Sequence, residues 1–79
     1  TDLEILILND NQLTALSPEI GNLVNLEILL LNDNHLTKLP AEIGNLVKLE
    51  MLNIEGNKIA VLPVELVRSD YLKILMTIK

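Results

Sequence analysis

Leucines begin four similar segments of the chain at a constant spacing of 23 residues, and they are Leu3, Leu26, Leu49 and Leu72. In the first three segments, apolar residues occupy positions one, four, six and eleven, and an asparagine occupies position nine. Repetition at this period indicates stacked structural units, because one unit of this length cannot cover its own apolar side chains. The segments divide the chain into repeats 3–25, 26–48 and 49–71 and a partial repeat 72–79.

A short β-strand is predicted near the start of each segment. Positions four and six are both apolar with one residue between them, as at Leu29 and Leu31, so their side chains leave the same face of a strand. We expect the strands to stack in parallel over one aliphatic core. In the last segment Thr77 occupies position six, where the 23-residue phase requires an apolar residue.

Positions three, five, seven and eight of each segment are predicted to lie on the other face of the sheet. At positions three and five, seven of the eight residues are apolar, which predicts a continuous apolar band with Ile74 beside Met51. Soluble monomers seldom expose apolar patches beyond roughly a few hundred Å², so we expect a partner protein, flanking chain or a second copy to cover the band. The predicted contact residues are Ile5, Ile7, Asn9, Asp10, Ile28, Leu30, Asn32, Asp33, Met51, Asn53, Glu55, Ile74 and Met76.

Three asparagines recur where the chain leaves each strand: Asn11, Asn34 and Asn57. A carboxamide carries both donors and an acceptor, so it can satisfy backbone groups that a sharp turn leaves unpaired. We therefore predict that this asparagine ladder is structural.

The return arms differ in where their prolines fall. Pro40 and Pro63 each follow a leucine directly, whereas the first repeat has Ser17 before Pro18, so we expect its arm to take a slightly different path. Gly21 and Gly44 are expected to permit close contact between neighbouring coils.

The order L-x-x-L-x-L-x-x-N-x-L at residues 3–13 and 26–36, and with isoleucine substitutions at 49–59, resembles the hallmark of the leucine-rich repeat family. The continuation L-P-x-x-I-G-N-L at 39–46 is similar to an intracellular 23-residue class found in Ras-linked scaffolds, plant Ras-group-related proteins and bacterial repeat proteins. The resemblance implies an α/β right-handed solenoid, with parallel strands on the concave face and short helical or irregular arms on the convex side. It also implies protein binding on the concave face.

Composition and charge narrow the class of partner. The chain is 49% hydrophobic but has a single aromatic residue, Tyr71, so the core must be built from Leu, Ile and Val. Its net charge is -5, and residues 1–34 contain six acids and no Lys or Arg. Such a field repels phosphate backbones and anionic lipid, which disfavours nucleic acid and membrane as partners. A protein with a basic patch is expected instead.

Reactive groups are sparse. The sequence has no Cys and one His, His35, so it offers neither a thiolate site nor a set of imidazole ligands, and we expect no metal and no cofactor. No phosphate-binding glycine loop occurs, and a smooth sheet offers no cleft for a general base. We predict that the chain is not an enzyme. The lack of Cys and of glycosylation acceptors favours a cytoplasmic location.

Together these patterns predict a protein-interaction module, and the resemblance implies that it binds through its concave face, in a role such as a signalling scaffold. The alternative is a structural spacer, or a regulatory segment of a larger repeat protein fused to a kinase, GTPase or ubiquitin ligase. We expect a fragment without end caps, which could self-associate through its exposed ends or through the apolar band.

Overall fold

A parallel sheet runs through the chain in sequence order. The computed structural model describes residues 2–66 and the backbone of residues 73–75. Within these residues the strands are β1 (Ile5–Ile7), β2 (Ile28–Leu30), β3 (Met51–Asn53) and β4 (Lys73–Leu75). Ile5 lies beside Ile28, and Ile28 lies beside Met51, so the first three strands keep the predicted 23-residue phase. The predicted parallel stack is confirmed.

Each arm between strands contains a short 3-10 helix. These helices span Pro18–Asn22, Ala41–Asn45 and Val64–Leu66. One apolar residue of each helix, Ile20, Ile43 or Leu66, is buried among the strand leucines. Strand, aliphatic core and 3-10 helix therefore recur in the three coils of residues 2–66, which confirms the α/β solenoid with short helical arms.

The fourth strand departs from the predicted phase. Met51 pairs with Lys73, and Leu52 pairs with Ile74, so the spacing of paired positions here is 22 residues rather than 23. The predicted pairing of Ile74 with Met51 is therefore wrong by one residue.

The core is most complete in the second coil. Its leucines at hallmark positions one, four, six and eleven, which are Leu26, Leu29, Leu31 and Leu36, are all 0% exposed. The matching residues of the first coil, among them Leu6 and Leu8, are only partly buried. The second coil has a neighbour on both sides, whereas β1 is an edge strand of the described sheet. Burial here depends on stacking rather than on residue type.

Two members of the asparagine ladder, Asn34 and Asn57, tie neighbouring coils together. Asn34 is 4% exposed; its side-chain oxygen accepts the Leu13 backbone N–H at 3.1 Å, and its amide donates to the Leu8 and Leu31 carbonyls at 3.0 Å each. Asn57 repeats this arrangement on the next pair of coils, where its oxygen accepts the Leu36 N–H at 3.0 Å. The bonds of Asn34 and Asn57 to backbone groups of two coils are those that a structural role requires.

The first two return arms follow the same path, contrary to the prediction from Ser17 and Pro18. Ser17 (φ -63°, ψ 142°) and Pro40 (φ -69°, ψ 148°) both hold the extended conformation that precedes a 3-10 helix. Serine adopts these angles readily and its side chain accepts the Glu19 N–H at 3.2 Å, a cap that Pro40 lacks. Pro18 meanwhile fits the first helical position.

Close contact between the first two arms depends on a glycine. A Cβ on Gly21 would lie 2.8 Å from the Glu42 carbonyl oxygen and 3.1 Å from the Asn45 side-chain nitrogen. The expectation for Gly21 is confirmed.

Candidate protein-binding face

The apolar band on the concave face results from the alternation of buried and exposed side chains along each strand. In β2 and β3 the middle residue of each strand, Leu29 or Leu52, is fully buried, while the residues on either side are partly exposed. In β1 the exposed fractions rise to 52% for Ile5 and 61% for Ile7. The structure thus brings together five predicted apolar contact residues, and we define this apolar strip as Ile5, Ile7, Ile28, Leu30 and Met51.

Polar residues bound the apolar strip at the carboxyl ends of the strands. Asn9 donates to the Asp10 carboxylate at 2.7 Å, and Asn32 donates to the Asp33 carboxylate at 3.1 Å. Both aspartates are exposed and have a left-handed backbone, with φ of 58° and 60°. Aspartate is one of the few residues other than glycine that adopt this conformation at modest cost. The turn therefore fixes the backbone of both aspartates, and their exposed side chains are accessible to a partner.

In the third coil, a glycine takes the place of the aspartate at the carboxyl end of the strand. Gly56 takes the left-handed position (φ 72°), and a Cβ there would collide with the Asp33 carboxylate. Asn53, half-buried at the end of β3, accepts the Glu55 backbone N–H at 3.1 Å. Sequence reasoning missed this shared backbone role of Asp10, Asp33 and Gly56. The replacement of aspartate by glycine at the eighth hallmark position was the signal that could have revealed it.

The opposite edge carries a column of glutamates, Glu4, Glu27 and Glu50. The Glu4 carbonyl accepts the N–H groups of Glu27 (2.7 Å) and Ile28 (3.0 Å), and the Glu27 carbonyl accepts the next pair in the same way. These paired bonds fix where each strand begins. Beside the column, Lys48 donates to the Asn25 side chain at 3.0 Å, and both line a shallow polar depression with Glu4 and Glu27.

Two predicted contact residues belong to the fourth segment. The backbone register sets Ile74 beside Leu52. Met76 lies outside the described residues, as do Thr77 and Tyr71.

Groups suited to chemistry do not converge in the part of the chain that the structure describes. No group of three or more His, Asp or Glu side chains there could hold a metal ion. His35 is exposed, and its backbone N–H donates to the Leu13 carbonyl at 2.8 Å as part of the coil stacking. Among the same residues no helix has the length and apolar character needed to cross a membrane.

Comparison with known proteins agrees with this architecture. The leucine rich repeat family matches residues 1–59. The chain belongs to the leucine-rich repeat family. It is similar to a leucine-rich repeat protein of Leptospira interrogans of known structure, with 47% sequence identity and a TM-score of 0.86 over 94% of the chain. The chain spans 19% of the length of that protein. No curated protein matches the sequence significantly.

Leucine-rich repeats generally mediate protein–protein interaction and are typically not enzymes. Their specificity lies in the residues that each member presents on its exposed faces, since one fold carries many functions. In this chain, those exposed residues include the apolar strip and the polar residues at its edges, whereas the buried leucines and isoleucines form the core.

Proposed function

We propose that this chain binds a partner protein on its concave face, with the apolar strip as contact area and Asp10 and Asp33 as charged selectors. The carrying observation is the exposure of Ile5 and Ile7, 52% and 61%, beside the partly exposed Ile28, Leu30 and Met51 in neighbouring strands. Strands about 4.8 Å apart place these side chains in one continuous surface. Burying such a surface on a partner stabilises the complex by roughly 25 cal/mol per Å² of apolar area before the costs of association.

Charge favours a basic partner. The sequence has a net charge of -5, and no Lys or Arg occurs before Lys38. An acidic surface accelerates encounter with a basic protein and suppresses encounter with acidic ones. A scaffold role follows if two such partners are held by one longer array.

The test compares three immobilised baits: the native chain, Leu30→Lys and Val47→Lys. Leu30 lies on the concave face and is half-buried, whereas Val47 is 71% exposed outside the sheet. Both changes replace one aliphatic residue by one cation, so they are matched in charge. We expect proteins retained by the native chain to be retained by Val47→Lys and lost by Leu30→Lys.

Circular dichroism provides the folding control. Leu30→Lys should keep the native spectrum because a lysine can extend its ammonium group into water at this position. Leu29→Lys should unfold the chain, since Leu29 is 0% exposed and a buried unpaired charge is very costly. If the native chain, Leu30→Lys and Val47→Lys all retain the same proteins, the concave face is not the binding surface.

A second candidate function is that of a spacer or regulatory segment within a longer array. The favouring observation is that the chain spans 19% of the Leptospira interrogans protein to which it is similar. In that case binding residues lie in other repeats, and Leu30→Lys leaves the capture of partners by the longer protein unchanged. Light scattering on the native chain and on Leu30→Lys distinguishes a further outcome: a native oligomer that Leu30→Lys dissociates would assign the apolar strip to self-association.

A further inference from the structure

Two rows of carboxylates bound the apolar strip, one at each end of the strands. The amino-end row is Glu4, Glu27 and Glu50, and the carboxyl-end row is Asp10, Asp33 and Glu55. Corresponding members lie six residues apart along each of the first two coils and five apart along the third. The strands end before these acids, and Asp10 and Asp33 have a left-handed backbone, so a rise of about 3.3 Å per residue sets an upper limit of roughly 17 to 20 Å on the separation of the rows.

The space between the rows matches one structural element. An α-helix with its side chains is about 10 to 12 Å wide, so a helix lying across the strands fills the strip and leaves at most roughly 3 to 5 Å on each side for side chains that reach the carboxylates. An extended segment in the same place presents only every second side chain to the sheet and is too narrow to approach both rows.

The sign of the charge is consistent along both rows. Residues 2–66 contain ten Asp or Glu and three Lys, and none of the three lysines lies in β1, β2 or β3. Lys48 lines the same depression as Glu4 and Glu27, and its ammonium donates to the Asn25 side chain. An occupant therefore meets apolar side chains in the middle and carboxylates on both flanks.

We propose that the occupant of the concave face is a single amphipathic helix of a partner protein, with an apolar stripe flanked on both sides by Lys or Arg, lying across the strands. This proposal rests on the proposed concave-face binding and adds the shape and chemistry of the ligand. Apolar residues at helical spacings of three and four contact the apolar strip, and the flanking cations pair with the two rows.

The direct test uses three synthetic 18-residue peptides and isothermal titration calorimetry on the full chain. The first places leucines at positions i, i+3, i+4 and i+7, with lysines on both flanks. The second has the same composition in an order that alternates leucine and lysine, which removes the helical stripe. The third replaces lysine by glutamate. We expect the first to bind and gain helical circular dichroism, and the other two to bind at least tenfold more weakly.

A variant of the carboxyl-end row tests the charge contribution. In Asp10→Asn/Asp33→Asn two charges are removed while the left-handed backbone is kept, because asparagine also tolerates that conformation. The matched control is Glu19→Gln/Glu42→Gln, which removes the same charge from exposed positions in the 3-10 helices. We expect the first variant to bind the helical peptide roughly three- to tenfold more weakly, an effect that shrinks in high salt, and the control to bind like the native chain.

Each outcome separates this proposal from the one it rests on. If the alternating peptide binds as tightly as the helical one, and Leu30→Lys abolishes both, the concave face binds protein chains but does not select a helix. If the two double variants weaken binding equally, the effect is one of net charge, and the rows do not recognise the ligand. If no peptide binds at millimolar concentration, the helical ligand is excluded, while the capture experiment still decides whether the concave face binds protein.

Discussion

The first two coils carry nearly the same sequence and differ in how much of it they bury. Leu29 and Leu31 are fully buried in the second coil, whereas Leu6 and Leu8, their counterparts in the first, remain partly exposed. Asn34 likewise is buried and bonds to two coils, while Asn11 is exposed and donates only to the Leu8 and Asn9 carbonyls of its own coil. Equal motifs therefore have unequal energetic weight, because a coil is stabilised by the neighbours that cover it.

The largest difference between the two coils is expected when a leucine of the core is truncated. We expect Leu29→Ala to lower the free energy of unfolding by about 3 to 4 kcal/mol, since it removes a transfer contribution and leaves a cavity. Leu6→Ala should cost about 1 to 2 kcal/mol, because solvent already reaches its side chain. Urea unfolding followed by circular dichroism measures both. If Leu29→Ala does not fold, the milder variants Leu29→Val and Leu6→Val replace it, and Leu29→Val should still lose more stability than Leu6→Val. Equal losses at the two positions would contradict the stacking argument.

The asparagine pair gives the next largest difference. Asn34→Ala leaves the Leu13 N–H and the Leu8 and Leu31 carbonyls without this partner, so we expect a loss of about 2 to 3 kcal/mol. Asn11→Ala should cost about 0.5 to 1 kcal/mol, because its bonds are exposed to water. Hydrogen exchange at the Leu13 amide checks the mechanism: it should accelerate in Asn34→Ala and stay unchanged, relative to global stability, in Asn11→Ala.

Close approach of the first two coils can be tested at Gly21. Its Cβ in Gly21→Ala meets the Glu42 carbonyl oxygen, which belongs to backbone, so the coils must separate and we expect a loss of about 1 to 2 kcal/mol. Asn22→Ala, at the adjacent exposed position of the same 3-10 helix, is the control and should be nearly neutral. Thermal unfolding of both variants provides the measurement. A Gly21→Ala chain as stable as the native one would mean that the contact relaxes without cost.

The smallest expected effect lies in the caps of the return arms. Ser17→Ala removes the side-chain acceptor for the Glu19 N–H and should cost about 0.5 to 1 kcal/mol. The second coil already manages with Pro40, which makes no side-chain cap, so the first coil should keep its path in the variant. A matched substitution, Thr14→Ala, changes another exposed hydroxyl of the same coil. Chemical denaturation measures both variants. We expect Ser17→Ala to lower the denaturation midpoint and Thr14→Ala to leave it unchanged.

The phase of the fourth strand shows where counting along the sequence was insufficient. The spacing of 23 residues aligned Leu49 with Leu72, but it also put Thr77 at an apolar position. A spacing of 22 aligns Ile74 and Met76 in the sequence with Leu52 and Ile54, which are both apolar, and the backbone pairing of β4 follows that spacing. The leucine match and the threonine mismatch pointed to different registers, and only strand pairing decided between them.

The sequence by itself determined the repeat, the strand faces of the first three coils, the structural asparagines and the aliphatic core, because each depends on local alternation and on a constant period. Tertiary structure alone decided how deeply each copy is buried, which register the last strand adopts, and that the first return arm follows the second. It also showed that Asp10, Asp33 and Gly56 share a left-handed backbone. These properties depend on contacts between coils, and a residue's neighbours in another coil are not encoded in the repeat that contains it.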